Sequence, residues 1–290
     1  MCYNVSLRHP TINHRLPVQT PGEIMNTFNL SNLFSVAGKS VLITGGSRGI
    51  GLMMAQGFVQ NGAKVYISSR KAEVCAAVSA ELSKHGTCTT IPADLTTNEG
   101  RAALVTELSA QEDKLDVLIN NAGAAWGEPF DNFPEKGYDR CMDINVKAVF
   151  MLTRDLTPLL EASASQDNPA RVINVGSIDG LRVPMMPNFP YGVSKAAVHQ
   201  LTKVLAIELG KRKITVNAIA PGPFESQMTE FFLGNEEGQE SISTICPLGR
   251  IGSPEDMIGI AIYLSSRAGA YVNGAVIPVD GGIQLIPSGF

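Results

Sequence analysis

At 290 residues, with 44% hydrophobic and 17% charged residues, the chain has the composition of an ordinary globular protein able to bury a large core. A net charge of -4, with no cluster of Lys and Arg on one expected face, argues against a nucleic-acid partner, and no apolar run of about 18 residues predicts a membrane span. The cysteines (Cys2, Cys75, Cys88, Cys141 and Cys246) form no CxxC pair and the four histidines are dispersed, which predicts a reducing compartment and no bound metal.

Residues 1–34 hold Pro10, Pro17 and Pro21 and no sustained period, and are expected to be a disordered extension, with Met25 as an alternative start. Arg8 and Arg15, with no acid before Glu23, give the segment a weak likeness to a mitochondrial transit peptide. Pro10 and Pro17 would interrupt the amphipathic helix such a peptide needs, so a cytoplasmic location is the plainer expectation.

From 35 to 290 the pattern predicts one domain, with strands at 40–44, 63–68, 88–93, 116–120, 171–175, 214–219 and 275–279 and helices between most of them. Near-continuous apolar strands alternating with helices predict an α/β Rossmann-type doubly wound parallel sheet. The stretch 221–253 breaks this rhythm with Pro, Gly and mixed apolar residues, and is longer than most connections, which makes it a candidate lid.

The first strand runs into Thr44-Gly45-Gly46-Ser47-Arg48-Gly49-Ile50-Gly51 and then a helix over Leu52 to Gln60. Glycines there let the backbone turn tightly and approach a pyrophosphate, whose charge is met by free N–H groups at the helix N-terminus. An acid at the end of the second strand would receive the ribose 2′-OH of NAD, but this chain has Ser68-Ser69-Arg70-Lys71, and Glu73 lies too far along. Arg70, with Arg48, can clamp a 2′-phosphate, so NADP(H) is the expected cofactor. Asp94-Leu95 and Asn120-Asn121-Ala122-Gly123 follow the third and fourth strands, at the carboxyl ends where open α/β sheets bind ligands.

Further on, Tyr191 and Lys195 stand four apart at the start of an expected helix, so their side chains share a face. A nearby ammonium and an oxidised nicotinamide both favour ionisation of a phenol whose ordinary pKa is about 10, so Lys195 is expected to tune Tyr191. His199, two turns beyond Tyr191, is too far to share its proton transfer and is expected to serve packing or a subunit interface. Ser177 lacks the GxSxG elbow of an acyl-transferring serine, which disfavours hydrolase chemistry.

TGGSRGIG, NNAG, Ser177 after a strand, YGVSK, PG and VDGG, in this order over 36–282, closely resemble the classical short-chain dehydrogenases/reductases, and within them the 3-oxoacyl reductase branch. The resemblance implies that Ser177 holds the substrate oxygen, that Tyr191 donates the proton during reduction, and that Lys195 binds the nicotinamide ribose and Tyr191. It matches Asn145 to a helix asparagine supporting a water path to the lysine. For the cofactor it implies Gly45, Ser47, Arg48, Gly49, Ile50, Gly51, Ser69, Arg70, Asp94, Leu95, Asn121, Gly123, Pro221 and Gly222. Ser226 stands where relatives place a threonine near the nicotinamide carboxamide. Ser177 and Tyr191 are one position further apart than is common in this branch, so the loop between them is expected to bulge.

Met185, Met186, Pro187, Asn188 and Phe189, facing Phe224, Met228, Phe231, Phe232 and Leu233, are expected to wall an adaptable apolar pocket, with packing into the core or a subunit contact as the alternative. The expected activity is NADPH-dependent reduction of a 3-oxoacyl group, including an acyl thioester, or of a related hydrophobic ketone. An alcohol dehydrogenase acting oxidatively and a non-catalytic NADP(H)-binding sensor or scaffold are the alternatives. Relatives are homotetramers or homodimers, and the resemblance extends that expectation to this chain.

Overall fold

Seven runs rich in β-branched residues pair into one parallel sheet in the order β3-β2-β1-β4-β5-β6-β7. They are β1 (Ser40–Thr44), β2 (Lys64–Ser68), β3 (Thr87–Thr90), β4 (Val117–Asn120), β5 (Ala170–Val175), β6 (Ile214–Pro221) and β7 (Val276–Val279). The structure is a computed structural model that describes residues 29–184 and 186–286, and the side chains of these apart from Phe231 and Phe232. Its helices are α1 (Leu30–Leu33), α2 (Gly49–Gln60), α3 (Ala72–Leu82), α4 (Asn98–Gln111), α5 (Glu135–Met142), α6 (Ala148–Ser163), α7 (Phe189–Gly210), α8 (Glu230–Leu233), α9 (Glu236–Ile245) and α10 (Pro254–Ser265). Among the described residues, no helix is long and apolar enough to cross a membrane.

The expected extension and its transit-like charges lie mostly outside the described residues. The described chain already turns helical at α1, ahead of Ser35, where Asn29 accepts from Ser31 N and the Phe34 ring stands 6.4 Å from that of Tyr263 on α10. The expected lid contains two short helices, α8 and α9. Asn235 starts α9 by accepting from Gly238 N at 2.8 Å, a side-chain cap that the apolar pattern of the segment does not reveal.

Alternate residues of each strand feed the two faces of the sheet. Val41, Ile43, Val117 and Ile119 pack under α2 and α10, with Met54, Phe58, Met257 and Leu264. Leu42, Leu118 and Val172 pack on the other face under α4, α6 and α7, with Leu104, Leu152 and Leu205. Both faces are therefore covered, as a parallel sheet requires.

Among the charged residues of the interior, one is completely enclosed. Arg171 on β5 is fully buried; its Nε donates to Leu264 O at 3.1 Å and its Nη2 to Ser266 O at 3.0 Å, closing the C-terminal end of α10. Burial pushes its pKa down to about 10, so it stays charged at neutral pH. Arg171→Met keeps much of the stem but leaves these carbonyls unmatched in the core, and should cost about 3 kcal/mol of stability. A lower denaturation midpoint at unchanged denaturant slope would show it; an unchanged midpoint would refute this role.

The strand order reverses between β1 and β4, which opens a crevice at their carboxyl ends. Beneath it, Asn120 faces Asn174 across β4 and β5. Asn120 Nδ2 donates to Asn174 Oδ1 at 2.9 Å and to Thr153 Oγ1 of α6 at 3.0 Å, and Asn174 Nδ2 donates to Thr202 Oγ1 of α7 at 2.9 Å. All four residues are buried, so this polar chain ties both strands to both helices.

Candidate functional site

The glycine turn lies on one side of the crevice. Gly45 and Gly49 have φ of 66° and 51°, in the left-handed region that favours glycine. A methyl group at Gly51 would stand 2.3 Å from Gly45 O and 2.4 Å from Asn121 Nδ2, so α2 starts against the turn itself. Arg48 precedes α2 without a side-chain cap hydrogen bond, which leaves the first N–H groups of the helix free for an anion. Ile50 packs against the core beside this turn.

Asn121 is committed to the backbone: its Nδ2 donates to Thr44 O at 2.9 Å and Gly45 O at 3.2 Å, so it clips the β4 loop to the glycine turn. At the end of β2, Ser47 Oγ donates to Ser69 Oγ at 3.0 Å, and Ser69 Oγ lies 2.9 Å from Cys75 Sγ of α3. Burial pushes the Asp94 carboxyl up, but two hydrogen bonds from Thr96 and the nearby Arg70 guanidinium bring it below its ordinary value. Arg70 is exposed and shares this neighbourhood with Asp94, whereas Arg48 donates to the side chain of Gln227 in the late loop. Leu95 is buried beside Asp94 in the core.

These features fit NADP(H). The glycines leave a cradle that a Cβ would fill, the α2 N-terminus is uncapped, and Arg70 with no carboxylate closes the end of β2. The late loop covers the same turn: Pro221 ends β6, Gly222 N donates to Val279 O at 2.9 Å, and a methyl at Gly49 would stand 3.0 Å from Ser226 Cβ. Thr229 Oγ1 accepts from Ser226 N at 2.9 Å and donates to Phe224 O at 2.7 Å, fixing Ser226 there.

Across the crevice, Ser177 follows β5 and starts a short 3-10 turn, Ile178–Gly180. Its Oγ accepts from Asp179 N at 3.1 Å, which leaves its own proton free to donate outward. Tyr191 and Lys195 rise from the first turns of α7, with Lys195 Nζ 5.6 Å from the Tyr191 ring centroid. Lys195 is buried and donates to Val175 O at 2.7 Å. A methyl at Gly123 would stand 3.1 Å from Asn145 Oδ1 and 3.7 Å from Lys195 Nζ, so the bare glycine admits both.

Asn145 sits in a π-helical turn, Asp143–Lys147, that joins α5 to α6. Its Oδ1 accepts from Ala124 N at 2.9 Å, and its Nδ2 donates to Ala124 O at 2.9 Å and Ser194 Oγ at 2.8 Å. The side chain thus anchors the β4 loop to α7.

Electrostatically, burial governs the pair. Burial pushes the Tyr191 phenol up to about 12; the Ser177 side chain opposes this, while Asp179 and Cys141 add to it. Burial likewise pushes Lys195 down to about 8. Spacing on a helix shows that two groups meet but not how much water they lose, and here desolvation is the largest cause of both shifts. Desolvation thus favours the protonated form of the phenol, which is the form that donates.

Two residues of the expected apolar wall follow the alternative of core packing. Phe224 is 2% exposed and packs in the main core, with a methyl at Gly252 only 2.4 Å from its ring, and Leu233 is fully buried. Met186, Phe189 and Met228 are exposed, whereas Met185 and the side chains of Phe231 and Phe232 lie outside the described residues. Phe189 instead meets Phe130 and Phe133 edge-on at 5.7 and 5.9 Å, two aromatics that the sequence did not single out because no motif contains them. Ile178, next to the serine, packs with Cys246 and Ile283, so the late loop and the C-terminal turn both touch the serine turn. Gln227 and Cys75 were also missed; only their partners Arg48 and Ser69 lie in recognisable motifs.

The sequence profile of the family described as Enoyl-(Acyl carrier protein) reductase matches residues 45–284. The chain is 47% identical over 252 residues to a rhamnolipids biosynthesis 3-oxoacyl-[acyl-carrier-protein] reductase of Pseudomonas aeruginosa, covering 87% of this chain and 98% of that relative. It is 35% identical over 256 residues to a gluconate 5-dehydrogenase of Gluconobacter oxydans, covering 88% and 98% of the two. The RhlG/NADP active-site complex of P. aeruginosa superposes with a TM-score of 0.85 at 47% identity, over 87% of this chain and 99% of that one. A gluconate 5-dehydrogenase of Burkholderia cenocepacia in complex with NADP and tartrate gives 0.82 at 28% identity, over 89% and 100%.

Proposed function

Because the chain belongs to the short-chain dehydrogenase/reductase family, an NADP-dependent oxidoreductase of C=O and CH–OH groups, we propose that it reduces a 3-oxoacyl group or related hydrophobic ketone to the hydroxy compound. Bound NADPH supplies the hydride. The residues of this chain do the rest: Ser177 donates a hydrogen bond to the substrate oxygen and Tyr191 delivers the proton to it. Lys195 holds the nicotinamide ribose, while Asn145 and Gly123 keep space and register around the lysine. The observation that carries this reading is the placement of the half-buried Tyr191 phenol, on the first turn of α7, beside Ser177, whose hydroxyl accepts from Asp179 N and keeps its own proton to donate. Such a pair offers two donors to one oxygen as negative charge develops on it.

The glycine turn with Ser47, Ser69, Arg70, Asp94, Leu95 and Asn121 forms the adenosine-phosphate end in this reading, and Pro221, Gly222 and Ser226 form the nicotinamide end. The exposed Phe130, Phe189 and Met186 favour an apolar chain on the substrate. Assembly as a homotetramer or homodimer belongs to the same proposal and is supported by the exposed apolar residues Val204 and Ile207 of α7. The test is NADPH oxidation measured with 3-oxoacyl thioesters, free hydrophobic ketones, aromatic ketones and polar keto acids. Turnover confined to the polar keto acids would overturn the substrate assignment and favour a role like that named for the gluconate relatives.

The unmodified protein should prefer NADPH to NADH. Arg70→Asp should shrink that preference by at least about tenfold, the factor carried by ~1.5 kcal/mol of charged hydrogen bonding. Comparison of kcat/KM for the two cofactors measures it, and an unaltered ratio would remove Arg70 from the phosphate site.

A further inference from the structure

The face of α7 that carries Tyr191 and Lys195 continues one turn further to His199. This imidazole is only 5% exposed, and neither ring nitrogen makes a hydrogen bond of good geometry, although the Gly180 backbone lies near enough to act on the ring electrostatically. A neutral imidazole carries one N–H and one lone pair, so a purely packing role would be better served by an apolar side chain. Burial pushes His199 down to about 4; the backbone of Gly180 opposes that shift, and Lys195 and Lys203 add to it. The ring is therefore neutral at neutral pH.

Its position is specific. A methyl group at Gly176 would stand 2.1 Å from His199 Nε2 and 2.7 Å from Cδ2, and one at Gly180 would stand 2.8 Å from Cε1. These two glycines bracket Ser177, and neither is among the positive-φ residues. The backbone itself does not require glycine at either place. A methyl at Gly180 would also meet the α7 backbone, 2.6 Å from Lys195 C, but all three atoms nearest a methyl at Gly176 belong to His199. What Gly176 accommodates is the imidazole.

We propose that His199 is a positioning residue for Ser177: its ring fills the space the two glycines leave and holds the turn that presents the serine hydroxyl. This rests on the reading of Ser177 as the group that holds the substrate oxygen. His199 does not touch the reacting atoms; it acts through the turn.

The test is a double-substitution cycle on the full chain, with the best ketone of the panel and NADPH binding followed by fluorescence. His199→Leu should lower kcat by about tenfold to a hundredfold, the range that a displacement of about an ångström produces, with NADPH affinity unchanged. His199→Gln keeps a donor and an acceptor and should recover part of that loss. In a Ser177→Ala background, where nothing is left to position, His199→Leu should change kcat by less than about twofold. Persistence of the full factor in that background, a parallel loss of NADPH affinity, or an unchanged kcat in the single variant would each overturn the inference. Should His199→Leu not fold, the Gln variant carries the same cycle. If Ser177→Ala alone left kcat intact, the role given to Ser177 would fail, a result distinct from failure of the cycle.

Discussion

Tyr191→Phe should lower turnover by about 100-fold to 10,000-fold, the usual value of a positioned acid, while NADPH affinity changes little. The substitution removes one oxygen and keeps the ring, so the packing of α7 survives. The substrate oxygen then gains charge with only Ser177 and water to stabilise it. Lys195→Ala should behave differently. It removes the bond to Val175 O and the proposed ribose contact together, so both turnover and cofactor affinity should fall. Steady-state kinetics and fluorescence titration of both variants separate the two patterns. Near-normal turnover in a folded Tyr191→Phe protein would refute the proton donor and restore the non-catalytic reading of the fold.

Gly51→Ala should weaken NADPH binding by about a hundredfold, equivalent to about 3 kcal/mol of distortion at the cradle. The added methyl would meet a backbone carbonyl at 2.3 Å, and the Asn121 amide it would also strike is held by two carbonyls of its own. Neither neighbour is the free end of a flexible side chain, so α2 has to move away from the turn. Gly259→Ala on α10 is the matched control: nothing lies within 4 Å of its added methyl and the residue is exposed. That substitution should stabilise the protein by about 0.5–1 kcal/mol and leave binding alone. Equal NADPH affinity in the two variants would contradict the cradle.

The strands were legible because each is a short apolar run that needs no partner to be recognised, and most observed ends fall close to the expected ones. Gly45 to Gly51 and the Tyr191–Lys195 pair were legible because local spacing defines them, and Ser177 through the order of motifs that carries the family resemblance. Other features depend on what folds over what. The Ser47–Ser69–Cys75 contacts, the Arg48–Gln227 pair and the aromatic cluster of Phe130, Phe133 and Phe189 each join segments with no periodic relation. Phe224 was misplaced for the same reason: a phenylalanine in a Pro- and Gly-rich stretch reads as pocket lining until Gly252 is found beneath it. The desolvation that holds the phenol protonated was not legible, because burial cannot be read from a spacing of four.

The buried Asn120–Asn174 link acts as a checksum on assembly. β4 and β5 are both short, apolar and parallel, and their Val and Ile side chains would tolerate a slipped alignment almost as well as the correct one. A slip would separate the two amides and strand each of them among apolar side chains, out of reach of Thr153 and Thr202. Misaligned forms are thereby penalised at the strand pair whose carboxyl ends deliver the β4 loop and the Ser177 turn to the crevice. The sheet gains a single admissible register where a displacement of one residue would carry those two segments to the wrong depth.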